Sequence, residues 1–116
     1  MALARIADIY GRHGERFLKH ILTPTEIAAA QRLQDPVPRL AGRFAAKEAV
    51  MKALGTGVGA GVNFTSIEIV NDPSGAPRVE LRGAAACRCD FLGGRRWHLS
   101  ISHCREYAVA QVVLEG

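Results

Sequence analysis

The apolar positions in the first part of the chain follow a helical period, with charged residues between them. Residues Ala2 to about Ile9 predict a charged helix, which Gly11 and Gly14 loosen. The segment ERFLKHIL, residues 15–22, predicts a further helical turn or two. We therefore expect the chain to begin with two short helical segments.

A strong helix-start signal follows at Thr23. Thr23 is suited to the N-cap, Pro24 to the first helical position, and Glu26 completes a capping box. We expect this helix to run to about Leu33. The segment QDPVP then ends it, because proline keeps the preceding residue out of helical geometry.

The segment from about Arg39 to Leu54 predicts a third, longer helix that Gly55 terminates. Its apolar residues form two opposite stripes, Leu40, Phe44, Met51 and Leu54 on one side and Ala45, Ala46, Ala49 and Ala53 on the other. A helix that is apolar on both sides lies between other elements. Its charged residues must then reach a cleft, an interface or a ligand, because unpaired burial is costly. The alternative is a surface pair of Glu48 and Lys52, with the other cations extending to water.

Beyond Gly55 the apolar period changes from helical to alternating. VNFTSIEIVND alternates as a strand does, NDPSGAP is a turn cluster, and RVELRG returns as the second strand of a hairpin. Gly83 to Leu92 predicts a short helix, and WHLSIS and EYAVAQVVLE predict two further strands. Helices followed by an antiparallel sheet with one inserted helix indicate a single α+β domain over residues 1–116.

Composition narrows the class of protein. Hydrophobic residues make up 48% of the 116 residues and the mean hydropathy is +0.05, so we expect some apolar surface to lie in a subunit contact. No apolar run approaches the ~18 residues of a membrane helix, and the N-terminus lacks the apolar core of a signal peptide. The three cysteines, Cys87, Cys89 and Cys104, favour reduced thiols in a cytosolic protein over disulfides or a zinc site.

The net charge of +4 favours an acidic partner, which can be nucleic acid, a phosphorylated cofactor or an acidic protein. Arg5, Arg12, Arg16 and Lys19 recur at near-helical spacing, which is compatible with a nucleic-acid-binding module. Aromatic residues make up only 6% of the chain, and it contains no recognised nucleic-acid motif. Nucleic acid is therefore the less favoured partner.

A glycine-rich segment, GTGVGAG, follows the third helix and places four glycines between Gly55 and Gly61. Such a segment exposes backbone N–H groups and permits close approach to phosphates. It matches neither the P-loop nor the dinucleotide-binding fingerprint. Beside Lys47 and Lys52 it suggests a phosphate site, on which Glu48 is suited to hold a magnesium ion.

The segment RFAAKEAVMKALGTG, residues 43–57, strongly resembles the F-(A/S)-x-K-E-A-x-x-K signature of 4′-phosphopantetheinyl transferases. Three further segments are similar to holo-(acyl-carrier-protein) synthases and stand in that family's order: ERFLKHILTPTE, FTSIEIVNDPSGAP and HLSISHCREYAVAQVV. The resemblance covers nearly the whole chain.

The resemblance implies a role for each residue that matches the signature. Glu48 is expected to ligate a Mg²⁺ ion that bridges the coenzyme A pyrophosphate, and Lys52 to neutralise that pyrophosphate as the phosphoanhydride breaks. Arg43 and Lys47 are expected to contact nucleotide phosphates. The remaining expected coenzyme A contacts are Gly55, Gly57 and His103, the last in the segment SISHC.

The resemblance also implies the short form of the phosphopantetheinyl transferase fold, a cytoplasmic homotrimer with active sites between subunits. Its reaction, part of fatty acid biosynthesis, moves phosphopantetheine from coenzyme A to a serine of apo acyl carrier protein and releases adenosine 3′,5′-bisphosphate. The acidic carrier is expected to dock on the basic first helical region, at Arg5, Arg12 and Arg16.

The sequence departs from the family pattern at its N-terminus. The family begins with a strand of the form G-(I/V)-G-x-D-(I/L), whose aspartate is the second carboxylate on magnesium. Asp8 does not match it, because only eight residues separate Asp8 from Phe17, and we expect Asp8 to be an exposed helical residue. A start assigned too late, a shortened sequence and a real loss of the strand all remain open. The last would give a catalytically impaired relative that still binds the carrier.

Overall fold

A computed structural model of the protein describes residues 1–56 and 61–116. The helices are α1 Leu3–His13, α2 Glu15–Ile21, α3 Pro24–Gln31, α4 Val37–Leu54 and α5 Gly83–Phe91, and a 3₁₀ turn spans Phe64–Ser66. The strands are β1 Ile67–Asn71, β2 Pro77–Leu81, β3 Arg96–His103 and β4 Ala108–Glu115. Helices come first and antiparallel hairpins follow, with α5 between them, which confirms the α+β class.

The first two helices are separated at Gly14, whose φ of 51° lies in the left-handed region that favours glycine. Gly11 does not interrupt α1, which extends to His13 rather than ending near Ile9. Only one of the two glycines therefore breaks the helix. Asp8 is exposed on α1, as expected, and pairs with Arg12 at 3.3 Å.

Helix α3 begins with the predicted capping box. The Thr23 side chain accepts from the Glu26 backbone N–H, and the Glu26 carboxylate accepts from the Thr23 backbone N–H. The helix ends at Gln31, two residues before the predicted end. Helix α4 begins at Val37, two residues before the predicted start, because Pro38 fits the first helical turn, where no intrahelical N–H partner is lost.

The predicted sheet consists of two two-stranded sheets, β1–β2 and β3–β4. Strand β1 begins at Ile67, later than the alternating pattern suggested, because Asn63 accepts from the Ser66 backbone N–H and caps a 3₁₀ turn. The β3–β4 hairpin is longer, and its register pairs Ser100 with Gln111. Residues Met1–Leu3 continue this pairing pattern by bonding to the backbone of residues 106–108.

Helix α4 is the centre of the fold and packs against β4, β3, β1, α1 and α5. Its backbone approaches β3 closely at Gly42, where an added Cβ would lie 3.0 Å from Ile101 Cγ2. It ends at Gly55 in the left-handed conformation, with φ 74°, as the sequence predicted. Because α4 is buried on several sides, its position depends on packing against most of the other elements.

The β3–β4 hairpin is covered on one face only. Trp97, Leu99 and Ile101 of β3 pack towards the core, whereas Val109 and Val113 of β4 are 58% and 57% exposed on the other face. None of the helices within residues 1–56 and 61–116 has the length and hydrophobicity needed to cross a lipid bilayer.

Candidate active site

The four charged residues of the signature do not all lie on one face of α4. At 100° per residue, Glu48 and Lys52 share one face of α4, Arg43 lies on another, and Lys47 lies on the buried stripe. Residues that the sequence predicts to bind one ligand therefore lie on different faces of α4. Each position has a different environment.

Glu48 and Lys52 line a cavity of about 310 Å³ between α4 and the start of β4. The cavity, here called the Glu48 cavity, is lined by Met1, Ala45, Glu48, Ala49, Lys52, Ala108, Val109 and Ala110. The short alanine side chains leave space beside the two charged groups. Within residues 1–56 and 61–116 neither Glu48 nor Lys52 forms an ion pair, so the alternative of a Glu48–Lys52 surface pair is not what the structure contains.

Glu48 is the carboxylate of this cavity. Among the described residues, no three His, Cys, Asp or Glu side chains cluster as a metal-ligand group. Magnesium usually keeps several waters and binds one or two protein carboxylates together with substrate phosphates. A partly exposed carboxylate with open space and a neighbouring lysine fits that kind of site.

Arg43 and His103 line a second cavity of about 310 Å³ on another side of α4. This cavity, here called the Arg43 pocket, is lined by Leu33, Asp35, Pro38, Arg39, Gly42, Arg43, Asn71, Gly75, Pro77, Ile101 and His103. The Arg43 guanidinium donates to Asn71 Oδ1 at 2.6 Å. Arg39, one turn before Arg43, supplies a second cation, and the sequence interpretation missed both Arg39 and Asn71.

The electrostatics of the Arg43 pocket favour an anion. Burial, followed by the charge of Arg39, lowers the pKa of Arg43, and Glu26 opposes the shift. Burial and a like charge both destabilise the protonated guanidinium, and a bound anion would relieve this. The two arginines outnumber the one carboxylate of the lining, Asp35, so the cavity is suited to a phosphate group.

Lys47, for which the resemblance implies a contact to nucleotide phosphates, lines neither of these two cavities. Its side chain is fully buried, and Nζ donates to Ile21 O at 2.7 Å, Glu26 Oε1 at 2.6 Å and Phe64 O at 3.0 Å. Burial lowers the pKa of Lys47, and the Glu26 carboxylate opposes that shift. All three ammonium protons are used inside the protein, so none remains for a ligand.

The glycines expected to contact coenzyme A lie only partly within the described residues. Gly55 is exposed at the end of α4, and the guanidinium of Arg88 holds this end through a bond from Nε to Leu54 O at 2.9 Å. Gly57 lies outside the described residues. Arg88 was not singled out from the sequence, because its partner is a backbone carbonyl 34 residues away.

The three arginines expected to meet the carrier are all exposed. Arg5 and Arg12 are seven residues apart on α1 and therefore share one face. Arg16 lies beyond the break at Gly14 and lines a groove of about 340 Å³ with His13, Phe17 and His20. All three arginines are thus exposed cations on α1 and α2, and Arg12 also pairs with Asp8.

Comparison with known proteins places the chain in a family. Residues 1–112 match the family model of the 4′-phosphopantetheinyl transferase superfamily. The chain belongs to this superfamily.

Its relatives within the superfamily carry a common name. The chain is 52% identical to the holo-[acyl-carrier-protein] synthase of Solidesulfovibrio magneticus over 98% of this chain and 91% of the relative. It is 50% identical to that of Koribacter versatilis over 96% of this chain and 89% of the relative.

Solved structures of relatives have the same fold. The holo-[acyl-carrier-protein] synthase of Neisseria meningitidis matches with a TM-score of 0.90 at 38% identity, over 100% of this chain and 93% of that one. The Helicobacter pylori enzyme in complex with coenzyme A matches with a TM-score of 0.86 at 34% identity, over 99% and 95%. The predicted phosphopantetheinyl transferase fold is thereby confirmed.

Proposed function

We propose that this chain is a holo-(acyl-carrier-protein) synthase, which transfers 4′-phosphopantetheine from coenzyme A to a serine of an apo acyl carrier protein. The observation that carries the proposal is the pair Glu48 and Lys52, both lining one open cavity in a chain 52% identical to a synthase. The relative from H. pylori was crystallised in complex with coenzyme A, which supports coenzyme A as the donor.

The reaction requires attack of the carrier serine oxygen on the pantetheine-side phosphorus of the pyrophosphate. A new P–O bond forms, the phosphoanhydride P–O bond breaks, and its electron pair leaves on adenosine 3′,5′-bisphosphate. The serine proton passes to a carboxylate or to a bound water. Because the protein does little covalent chemistry in such transfers, positioning and charge stabilisation supply most of the catalysis.

Glu48 and Lys52 are the residues proposed for this step. Glu48 would hold Mg²⁺, which when bound neutralises the charge that develops on the phosphate oxygens. Lys52, one turn further along α4, would contact the pyrophosphate and stabilise the leaving group. Met1, Ala45 and Val109 line the same cavity and shape the space around these two groups.

Arg43 and His103 are proposed to bind the nucleotide phosphates, with Gly55 and Gly57 near the pyrophosphate. The Arg43 pocket and the Glu48 cavity share no lining residue and lie on different sides of α4. In one chain they are therefore separate half-sites. This separation supports an active site to which one subunit contributes Glu48 and Lys52 and its neighbour contributes Arg43 and His103.

A cytoplasmic homotrimer, as the resemblance implies, is the proposed assembly. The uncovered face of the β3–β4 hairpin carries exposed Val109 and Val113, with exposed Tyr107 just before β4. Val109 also lines the Glu48 cavity, so a second copy packed on this face would border the catalytic groups. The free cysteines among the described residues fit a reducing compartment.

Coenzyme A binding tests the metal assignment. Isothermal titration of the parent chain should show tighter binding with Mg²⁺ than without it, and Glu48→Gln should lose most of this enhancement because a charged ligand is removed. Glu80→Gln, a matched change on the exposed part of β2, should keep it. Unchanged enhancement in Glu48→Gln would exclude Glu48 as the ligand.

Lys52→Ala separates catalysis from binding. If Lys52 stabilises charge in the transition state, its loss should lower kcat by about 10²- to 10³-fold and change coenzyme A affinity much less. Equal loss in kcat and in affinity would show that Lys52 only binds the donor.

Carrier docking is tested by charge reversal at Arg5 and Arg12. Surface plasmon resonance should show slower association of the acidic carrier, with the largest effect at low ionic strength because exposed charges act at long range. Coenzyme A binding should not change. Reversal at the exposed Arg95, before β3, is the control, and an association rate insensitive to both Arg5 and Arg12 would place the carrier elsewhere.

A further inference from the structure

Lys47 bonds at the ends of three segments at once. Its acceptors are the backbone oxygen of Ile21, the carboxylate of Glu26 and the backbone oxygen of Phe64, at 2.6 to 3.0 Å. Ile21 is the last residue of α2, Glu26 lies in the first turn of α3, and Phe64 is the first residue of the 3₁₀ turn. One buried ammonium group therefore joins α4 to three other parts of the chain.

These segments carry, or lie next to, residues with different proposed roles in the reaction. Helix α2 carries Arg16 of the carrier-docking region, and Phe64 lies where the chain returns from the glycine-rich segment. Lys47 itself immediately precedes Glu48 and lies five residues before Lys52 on α4. The ammonium group thus joins the catalytic helix α4 to α2, α3 and the 3₁₀ turn.

The partner of Lys47 is held in place by its own bonds. Glu26 Oε1 also accepts from Thr23 N at 2.9 Å, and Oε2 accepts from Ile69 N at 2.8 Å. The carboxylate is therefore fixed to the start of α3 and to β1 at the same time. Because this acceptor is fixed, Lys47 forms all of its hydrogen bonds in only one rotational position of α4.

We propose that Lys47 is a positioning residue for phosphopantetheine transfer, which holds Glu48 and Lys52 in register with α2, α3 and the 3₁₀ turn at Phe64. This inference rests on the proposed function. A rotation or shift of α4 would move both catalytic side chains relative to the donor and the carrier. Misplacement by about 1 Å can lower a reaction rate by about 10²-fold, so a residue that contacts no substrate can still control turnover.

The test must separate positioning from simple loss of stability. Lys47→Met alone leaves the Glu26 carboxylate buried without its cation, so a loss of rate in this variant would not distinguish positioning from unfolding. Lys47→Met/Glu26→Gln removes both charges, and neutral replacement of a buried ion pair is often tolerated. Val79→Ala is a buried change on β2, opposite Ile69 in the strand register, that removes no polar contact of Lys47 or Glu26, and it controls for a general loss of packing.

Steady-state transfer is measured well below each melting temperature, with coenzyme A affinity from isothermal titration. For Lys47→Met/Glu26→Gln we expect kcat to fall at least 10-fold while coenzyme A affinity measured without Mg²⁺ stays within about threefold, since Lys47 orients the catalytic groups and does not touch the donor. Val79→Ala should keep kcat within about twofold. Lys47→Arg, which keeps the charge and the donors, should recover part of the rate.

Each outcome decides the proposal. If the unsubstituted chain transfers phosphopantetheine and the folded double variant has nearly the same kcat, the positioning role is overturned and the proposed function stands. A fall in kcat equal to that of Val79→Ala at matched melting temperature would show a purely structural role and overturn it as well. A parent chain without transfer activity would overturn both the function and this inference.

Discussion

Glu26→Gln is expected to destabilise the protein strongly, although Glu26 touches neither proposed substrate. Its carboxylate is almost fully buried and accepts from Lys47 Nζ, Thr23 N and Ile69 N. Glutamine has the same shape but one acceptor oxygen and no charge. The change therefore removes the hydrogen-bonded counter-ion of Lys47, leaving only the more distant charge of Glu68, and sets an NH₂ group against a backbone donor.

The magnitude follows from these two losses. Removing one partner of a buried ion pair costs about 3–5 kcal/mol. The Ile21 and Phe64 carbonyls still accept from Lys47, so the lower end applies, about 3 kcal/mol. A backbone N–H left without an acceptor adds about 1 kcal/mol, the lower end of the usual range. The sum, about 4 kcal/mol, corresponds to a fall of about 15 °C in Tm for a domain of this size.

The assay is thermal and urea unfolding of Glu26→Gln beside Glu80→Gln, the same change at an exposed glutamate paired with Arg78. An exposed pair is worth less than about 1 kcal/mol, so the control should fall by no more than about 4 °C. Adding Lys47→Met to Glu26→Gln should cost less than the sum of the single changes, because the pair is coupled. Equal losses in Glu26→Gln and Glu80→Gln would refute the buried network as a source of stability.

Three further predictions concern other parts of the fold. Gly94→Ala should lower the urea midpoint by the equivalent of about 1–3 kcal/mol. An added Cβ would lie 2.8 Å from Leu114 and 2.9 Å from Cys89. An unchanged midpoint would contradict this. Hydrogen bonds from nearby backbone groups lower the pKa of Cys104, whereas burial and then a neighbouring charge raise that of Cys89. Iodoacetamide should therefore modify Cys104 first and at lower pH, and mass mapping that finds Cys89 modified first would exclude this order. Val109→Asp should convert the proposed trimer to smaller species in light scattering, since it puts a charge into the proposed apolar contact, and an unchanged mass would exclude this face as the interface.

Local signals predicted the helical part of the fold well. The capping box at Thr23 and the end of α4 at Gly55 each depend on residues within one or two turns, and both are confirmed. The start of β1 was predicted too early, because the alternating apolar pattern continued through a 3₁₀ turn. Asn63 and Ser66, which cap that turn, were the signal that should have separated the two.

The candidate site was less predictable, because its partners are distant along the chain. Lys47 fell within an apolar stripe of α4, which indicated burial, yet its match to the signature suggested a phosphate contact. Its partner Glu26 is 21 residues away, and the other two acceptors are backbone carbonyls that carry no residue signal. Arg39 was missed although it precedes Arg43 by one helical turn, a spacing that indicates a shared face. The two proposed half-sites lie on different sides of α4, and their separation follows from the packing of this helix against both hairpins.

The central claim is transfer of phosphopantetheine at the Glu48 cavity, and intact-mass measurement of the carrier tests it most directly. Apo acyl carrier protein is incubated with coenzyme A, Mg²⁺ and the parent chain, Glu48→Gln or Glu80→Gln. The parent and Glu80→Gln should raise the carrier mass by one phosphopantetheine group in step with release of adenosine 3′,5′-bisphosphate. Glu48→Gln should do so far more slowly, because the charged ligand is lost. A carrier mass that stays unchanged with the folded parent chain, or one that rises equally fast with Glu48→Gln, would contradict the account.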